Sequence, residues 1–140
     1  MPQVIAALES QKRKIDRIVA VDTGSRDNSV KLLKSAGIPT FLEDRDMGYG
    51  DAIDHALELT PPAKGVEGNE WIWLIHDDCA PDKQALAHLL QAIEDRPQVA
   101  IAGPKLRGWY DRDHLLEIGV SIASNGARWT GLERGEQDQG

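Results

Sequence analysis

Three short polar clusters in this 140-residue chain carry residue types suited to gripping a phosphorylated ligand. The first is Asp22-Thr23-Gly24-Ser25. Asp22 offers a carboxylate that can accept hydrogen bonds from a base or a ribose, and Gly24 lets the backbone approach a ligand or take positive φ. The second is Asp46-Met47-Gly48-Tyr49-Gly50, which precedes a helical pattern, so that a helix N-terminus would face an anion. The third is His76-Asp77-Asp78. Adjacent carboxylates repel each other, and at the end of a buried strand they also lose solvation. A hard divalent cation relieves both costs, and Mg²⁺ binds through one or two carboxylates plus substrate phosphates.

Each cluster also has a plainer reading. Asp77 and Asp78 can cap a helix that starts near Pro81, where acids are favourable. Asp22 to Ser25 can be an ordinary turn with helix caps, and so can Gly48 and Gly50. His76 can be a ligand or a histidine that only hydrogen-bonds. Neither G-x-G-x-x-G nor a phosphate loop with its Gly and Lys spacing occurs. Cys79 lacks the matched histidine that a nucleophile needs. His55, His88 and His114 are scattered without metal spacing. Trp71 and Trp73 read as packing residues, whereas Trp109, Tyr110 and Trp129 either stack on a sugar or cover a sheet edge.

The elements around these clusters decide what they share. Pro2 with Val4, Ile5 and Leu8 predicts a short first helix. Ile15 to Val21 predicts a strand, closed by the first cluster. Asp27 or Asn28 caps a helix carrying Val30, Leu32 and Leu33 and stopping at Gly37. Ile38 to Leu42 predicts a second strand. Ala52, Ile53, Ala56, Leu57 and Leu59 have helical spacing, and Thr60 to Asn69, with two prolines and two glycines, reads as a loop. Trp71 to Ile75 is apolar throughout, the pattern of a strand buried on both faces. Pro81 opens a helix with Leu86, Leu89, Leu90 and Ile93 on one side, Val99 to Ala102 is a further buried strand, and Leu115 to Ala123 another. Helices and strands thus alternate, the pattern of a parallel sheet covered on both faces. In open α/β sheets ligands bind at the carboxyl ends of the strands, where all three clusters fall. The first strand of such a sheet is usually central, yet this chain opens on a helix.

Composition narrows the class. Apolar residues make up 41% and charged residues 28%, as in a soluble globular domain, and a chain of this length buries about two thirds of its unfolded surface. A formal net charge of −7 argues against a nucleic-acid partner, which needs a basic face, but not against a nucleotide whose diphosphate a metal neutralises. Cys79 is the one cysteine, so no disulfide forms within the chain. No apolar run approaches the roughly 18 residues of a membrane span, and the start is too short and polar for a signal peptide. The expected location is the cytoplasm, including the inner face of the membrane.

In order, the strand ending in Asp-x-Gly-Ser, the Gly-containing turn before a helix, and the strand ending in x-Asp-Asp-x-x-x-Pro resemble the donor half of family 2 glycosyltransferases of the GT-A fold. The resemblance runs from Met1 to about Gly131. Trp71 to Pro81 is most similar to actinobacterial members, some related to rhamnosyl or galactofuranosyl transfer. The resemblance implies a partial Rossmann-like nucleotide-sugar-binding domain over 1–131; 132–140 is polar and glycine-bounded, which predicts a mobile tail. It implies that Asp22 and Thr23 contact the nucleobase, in a donor-binding turn with Gly24 and Ser25, although Thr23 replaces a more usual Asp or Asn. Asp46 and Gly48 correspond to an Asn-x-Gly-like turn near the donor. His76-Asp77-Asp78 corresponds to the Asp-x-Asp position, with His76 departing at the first place, Asp77 toward the ribose and the metal, and Asp78 on the metal, Mg²⁺ or Mn²⁺. The strand that opens the family's fold and the acidic general base of its acceptor half have no counterpart here, so no catalytic base is assigned.

Three functions follow as expectations. The first is transfer of a sugar from a nucleotide-diphosphate donor to a glycan or lipid-linked hydroxyl acceptor, inverting and metal-dependent, in cell-envelope polysaccharide synthesis, with this chain a fragment truncated at both ends. The second is a non-catalytic remnant that binds a nucleotide or a partner, or self-associates through an open sheet edge. The third is a receiver-type phosphotransfer domain using Lys105, which the order of the acidic clusters fits poorly.

Overall fold

Pro2 and Met1 start the first helix, α1 (Pro2–Glu9), as Pro in the first turn predicts. Val4 is buried, and Ile5 and Leu8 are half-buried beside it. The structure is a computed structural model that describes residues 1–62, 70–119, 121–129, 131–133 and 135–138. The chain divides into two compact units, Met1–Gln84 and Ala85–Gly140.

In the first unit, β1 (Ala20–Asp22) pairs in parallel with β2 (Thr40–Leu42), Val21 opposite Phe41 and Asp22 opposite Leu42. Both strands are shorter than the apolar pattern predicts, because Ile15 to Val19 and Ile38 to Pro39 lie outside the paired stretch. The crossover between them is α2 (Ser29–Ser35), whose Leu33 is buried. Asp27 Oδ1 accepts the Ser29 N–H at 2.9 Å, and hydrogen bonds from Ser29 hold the Asp27 carboxyl below its ordinary range. The helix stops as Gly37 predicts. Gly37 takes φ +69°, its N–H donates to Lys34 O, and the Ile38 N–H donates to Leu33 O, which satisfies two terminal carbonyls. Next, α3 (Tyr49–Leu59) buries Ala52 and Ala56, while Leu57 and Leu59 stay exposed.

Gln11 ties the two ends of this unit together. It is 1% exposed, and its carboxamide donates to Ala7 O at 3.0 Å and to Asp82 O at 2.8 Å. The adjacent Lys12 N–H donates to Lys83 O at 2.7 Å. Arg17 reaches Thr60 O, Pro61 O and the Glu70 carboxylate, on either side of the loop expected over Thr60 to Asn69. From residue 63 onward that loop lies outside the described residues.

Two expected strands are not seen among the described residues. Trp71 to Ile75 has no ladder partner there, and Trp71, Ile72 and Leu74 are exposed, Ile72 at 57%. Val99 to Ala102 is likewise unpaired, with Ile101 91% exposed. An apolar run codes for burial between neighbours, but a strand needs those neighbours to donate and accept its backbone hydrogen bonds. Among the described residues, β1 and β2 form a two-stranded sheet, and the wider parallel sheet is not seen.

In the second unit, α4 (Ala85–Ile93) begins four residues after Pro81 and not at it. The remaining strands are antiparallel. β3 (Lys105–Arg107) pairs with β4 (Leu115–Ile118), with a shift in register between Leu106 and Arg107. β5 (Ser121–Ile122) pairs with β6 (Arg128–Trp129). The single strand expected over Leu115 to Ala123 is therefore two, parted at Gly119, which takes φ +68°. Val120 lies outside the described residues. Asp138 accepts from Lys105 Nζ at 2.7 Å, and the Leu115 N–H donates to Glu136 O. Gln139 and Gly140, the end of the tail expected to be mobile, lie outside the described residues. No helix among the described residues is long and apolar enough to cross a membrane.

Gln11→Leu removes the donor to two carbonyls while keeping an apolar stem in place. It is expected to lower unfolding stability by about 1–3 kcal/mol, read as an earlier urea midpoint at unchanged slope. Gln3→Leu, at an exposed position of α1, is expected to leave the midpoint in place.

Candidate functional site

Asp22 closes β1 and organises the first cluster. It is 8% exposed, and its Oδ2 accepts the backbone N–H of Gly24 at 3.2 Å and of Ser25 at 3.0 Å. The chain therefore reverses directly after the strand, leaving Thr23 and Ser25 exposed on the turn. Gly24 adopts φ +82°, and a Cβ built on it would stand 3.2 Å from Arg45 Cβ. A glycine is thus required for its conformation and for the close approach of the next turn.

That next turn carries the second cluster. The Glu43 N–H donates to Asp22 O at 2.9 Å, extending the β1–β2 register by one bond. The Met47 N–H donates to Asp44 O, which rounds the turn and leaves Asp46 exposed on it. Gly48 is the N-cap of α3 in extended conformation, and its carbonyl accepts the Ala52 N–H at 2.9 Å. His55 of α3 faces this turn, its Nδ1 2.8 Å from Glu43 Oε1, an ion pair when the imidazole is protonated.

The third cluster is a turn of its own. Cys79 N–H and Sγ both approach His76 O, at 3.4 and 3.0 Å. On a strand, successive side chains alternate faces, and Asp77 would point away from its neighbours. The turn gathers them instead: one ligand atom each of His76, Asp77 and Asp78 lie within 4.8 Å of one another. All three residues are exposed, so the expected loss of solvation at a buried strand end does not apply. Their mutual repulsion remains, and it is the part a cation relieves. Burial and the neighbouring Asp78 carboxylate raise the Cys79 thiol above its usual range, which disfavours the thiolate a nucleophile would need.

Contacts join the three turns. The first and second meet through Asp22 O with Glu43 N and through Gly24 with Arg45. The second and third meet where the Tyr49 ring stacks on the His76 ring, centroids 4.8 Å apart and planes 11° from parallel. Sequence reasoning left Tyr49, His55, Glu43, Arg45 and Gln11 without roles. Their only advance signal was type, an aromatic residue between Gly48 and Gly50 and an aromatic residue opening the third cluster. Trp109, Tyr110 and Trp129 belong to the second unit and are exposed there.

The sequence profile described as Glycosyl transferase family 2 matches residues 1–128. The chain is also similar to the O-antigen chain rhamnosyltransferase RfbN of Salmonella typhimurium, 27% identical over 108 residues. That match covers 75% of this chain and 32%, about a third, of the relative. No solved structure matches.

Gly24→Ala forces a side chain into left-handed backbone against Arg45. It is expected to cost about 1–2 kcal/mol in chemical denaturation. Gly48→Ala keeps φ at −65° and meets only the Asp51 carboxylate at 3.0 Å, a flexible group, so its cost is expected to be smaller than that of Gly24→Ala.

Proposed function

Because the chain belongs to glycosyl transferase family 2, we propose that it is the donor-binding part of an enzyme that moves a sugar from a nucleotide diphosphate to a hydroxyl acceptor with inversion. The observation that carries this reading is the linkage of three polar turns, one of which gathers a His-Asp-Asp donor set. Residues 1–131 are then a partial nucleotide-sugar-binding domain and 132–140 a polar tail.

In this reading Asp22 and Thr23 face the base, with Gly24 and Ser25 completing the turn beside it. The Asp22 carboxylate is already engaged by two N–H groups, so its role is to fix the turn, and the exposed Thr23 and Ser25 hydroxyls supply free donors and acceptors. Asp46 and Gly48 flank the sugar and diphosphate, next to the start of α3, where unpaired N–H groups favour anions. Asp77 serves the ribose and, with Asp78, a divalent cation, Mg²⁺ or Mn²⁺. The donor set fits such an ion: two carboxylates and an imidazole in one turn, exposed enough to leave room for phosphate oxygens. When bound, the cation supplies Lewis-acid stabilisation to the departing diphosphate. The chain's own part is to bind and orient the donor. The proton of the acceptor hydroxyl falls to a base that these residues do not assign.

The relative's name, an O-antigen chain rhamnosyltransferase, supports a glycan or lipid-linked acceptor in cell-envelope polysaccharide synthesis, and with it work in the cytoplasm at the inner face of the membrane. The exposed run Trp71 to Ile75 supports self-association as a further property.

Calorimetric titration with UDP, dTDP and GDP tests the site. Binding is expected with Mn²⁺ and not with EDTA, and the tightest base identifies the donor class. Asp78→Asn, checked for an unchanged circular dichroism spectrum, is expected to weaken metal-dependent binding at least about tenfold, equivalent to 1.4 kcal/mol. Undiminished metal-dependent affinity in that variant would defeat the site assignment.

A further inference from the structure

The second unit holds a pair of cations that the donor reading does not use. Lys105 and Arg107 stand two residues apart on β3, a spacing that sets side chains on one face of a strand. Both converge on one carboxylate. Lys105 Nζ lies 2.7 Å from Asp138 Oδ1, and Arg107 Nη1 lies 3.4 Å from Asp138 Oδ2. The carboxylate is the enclosed member of the trio, its side chain 10% exposed against 40% and 39% for the cations. Asp138 belongs to a short segment, 135–138, laid against the start of β4. The Leu115 N–H donates to Glu136 O at 2.9 Å, and the Asp138 N–H donates to Asp113 O at 2.6 Å. His114 and Gln137 form an antiparallel bridge between these two bonds. Gly135, Glu136 and Gln137 are exposed, and Gly135 opens the segment with φ +83° and open space where a Cβ would stand.

We propose that Lys105 and Arg107 form an anion site that Asp138 fills from within the chain, and that 135–138 is a strap which a phosphate-bearing ligand displaces. The chemistry of the pair sets the ligand class. A guanidinium presents its N–H donors in a fork that suits phosphate oxygens, and an ammonium adds a compact point charge. Each cation uses a separate oxygen of Asp138, so an incoming anion needs at least two oxygens to replace both contacts. Two cations face one carboxylate, and a phosphate group carrying close to two negative charges matches them better. The strap is held by contacts that a competitor can break: ion pairs with exposed partners contribute little and are screened by salt. The strap itself carries Glu136 and Asp138, so its departure also takes negative charge away from the site. Gly135 supplies a hinge that tolerates the change of backbone angle. All of these residues lie in the second unit, and the proposal does not depend on the donor site of the first.

Amide hydrogen exchange on the intact chain, followed by NMR, reads the strap directly. The Leu115 N–H reports on it through Glu136 O, and the Asp138 N–H through Asp113 O. The Gly108 N–H, which donates to His114 O between β3 and β4, is the control. Inorganic pyrophosphate is the probe, compared with KCl at matched ionic strength to remove general screening. Pyrophosphate is expected to speed exchange of Leu115 and Asp138 on the order of tenfold beyond KCl, with Gly108 unchanged. Asp138→Asn is expected to speed Leu115 exchange without any ligand, and to bind pyrophosphate several-fold more tightly by calorimetry because the internal competitor is weakened. The double variant Lys105→Gln, Arg107→Gln is expected to loosen the strap in the same way but to bind no pyrophosphate, which separates loss of the site from loss of the strap. Pyrophosphate that does no more than KCl, in wild type and in Asp138→Asn alike, overturns the anion site. Unchanged Leu115 exchange in Asp138→Asn overturns the strap. Loss of Gly108 protection together with Leu115 in all variants shows β3 and β4 opening as a whole and rejects a strap that moves by itself.

Discussion

The carboxylate of Asp22 is the interaction on which the arrangement of the first unit depends. It sits at the end of β1, largely out of water, where an unpaired charge would be costly. The backbone N–H groups of Gly24 and Ser25 satisfy it, and by doing so fold the chain back into a tight turn. The carbonyl of the same residue accepts the Glu43 N–H, so one residue fixes the exits of both parallel strands. Gly24 can then approach Arg45 closely, and the turn that leads into α3 is held at a set height. The Tyr49 ring that reaches the third cluster inherits that placement.

How much of this was legible in the sequence depended on the range of the interactions. α1, α2, α3 and the existence of β1 and β2 follow from local signals: Pro2 at a helix start, Asp27 before Ser29, Gly37 at a helix end, β-branched residues before a turn. The runs Trp71 to Ile75 and Val99 to Ala102 carry an equally strong apolar signal, yet neither is a strand among the described residues. A buried strand is specified by what lies beside it, which a run of side chains does not encode. The error had a consequence at the site. Read as the end of a strand, His76, Asp77 and Asp78 should alternate in direction and lose water. As a turn they converge and stay solvated. β3 was missed because Lys105-Leu106-Arg107 has one apolar residue between two cations, and its partner lies across a reversal. The contacts of Gln11, of His55 with Glu43 and of Tyr49 with His76 were out of reach for the same reason: each joins positions that only folding brings together.

Residues in this chain do double duty through backbone and side chain. Gln11 is buried although it is polar, and it is tolerated because its amide closes α1 and grips the segment just after the acidic pair. That clamp lies within a few residues of Asp78 and Cys79, so the position of the third turn is set from the amino-terminal helix as well as from α3. Two independent anchors on a short exposed turn limit its freedom more than either would alone.

The exposed run Trp-Ile-Trp-Leu-Ile has the composition of a segment prone to intermolecular β-pairing: high β-propensity, no proline and no charge. Glu70 stands on one side of it, and Asp77 and Asp78 stand on the other, one residue removed. Charges so placed act as gatekeepers, because stacking identical chains would bring like charges into register. The acidic pair therefore opposes stacking of this run in register with copies of itself.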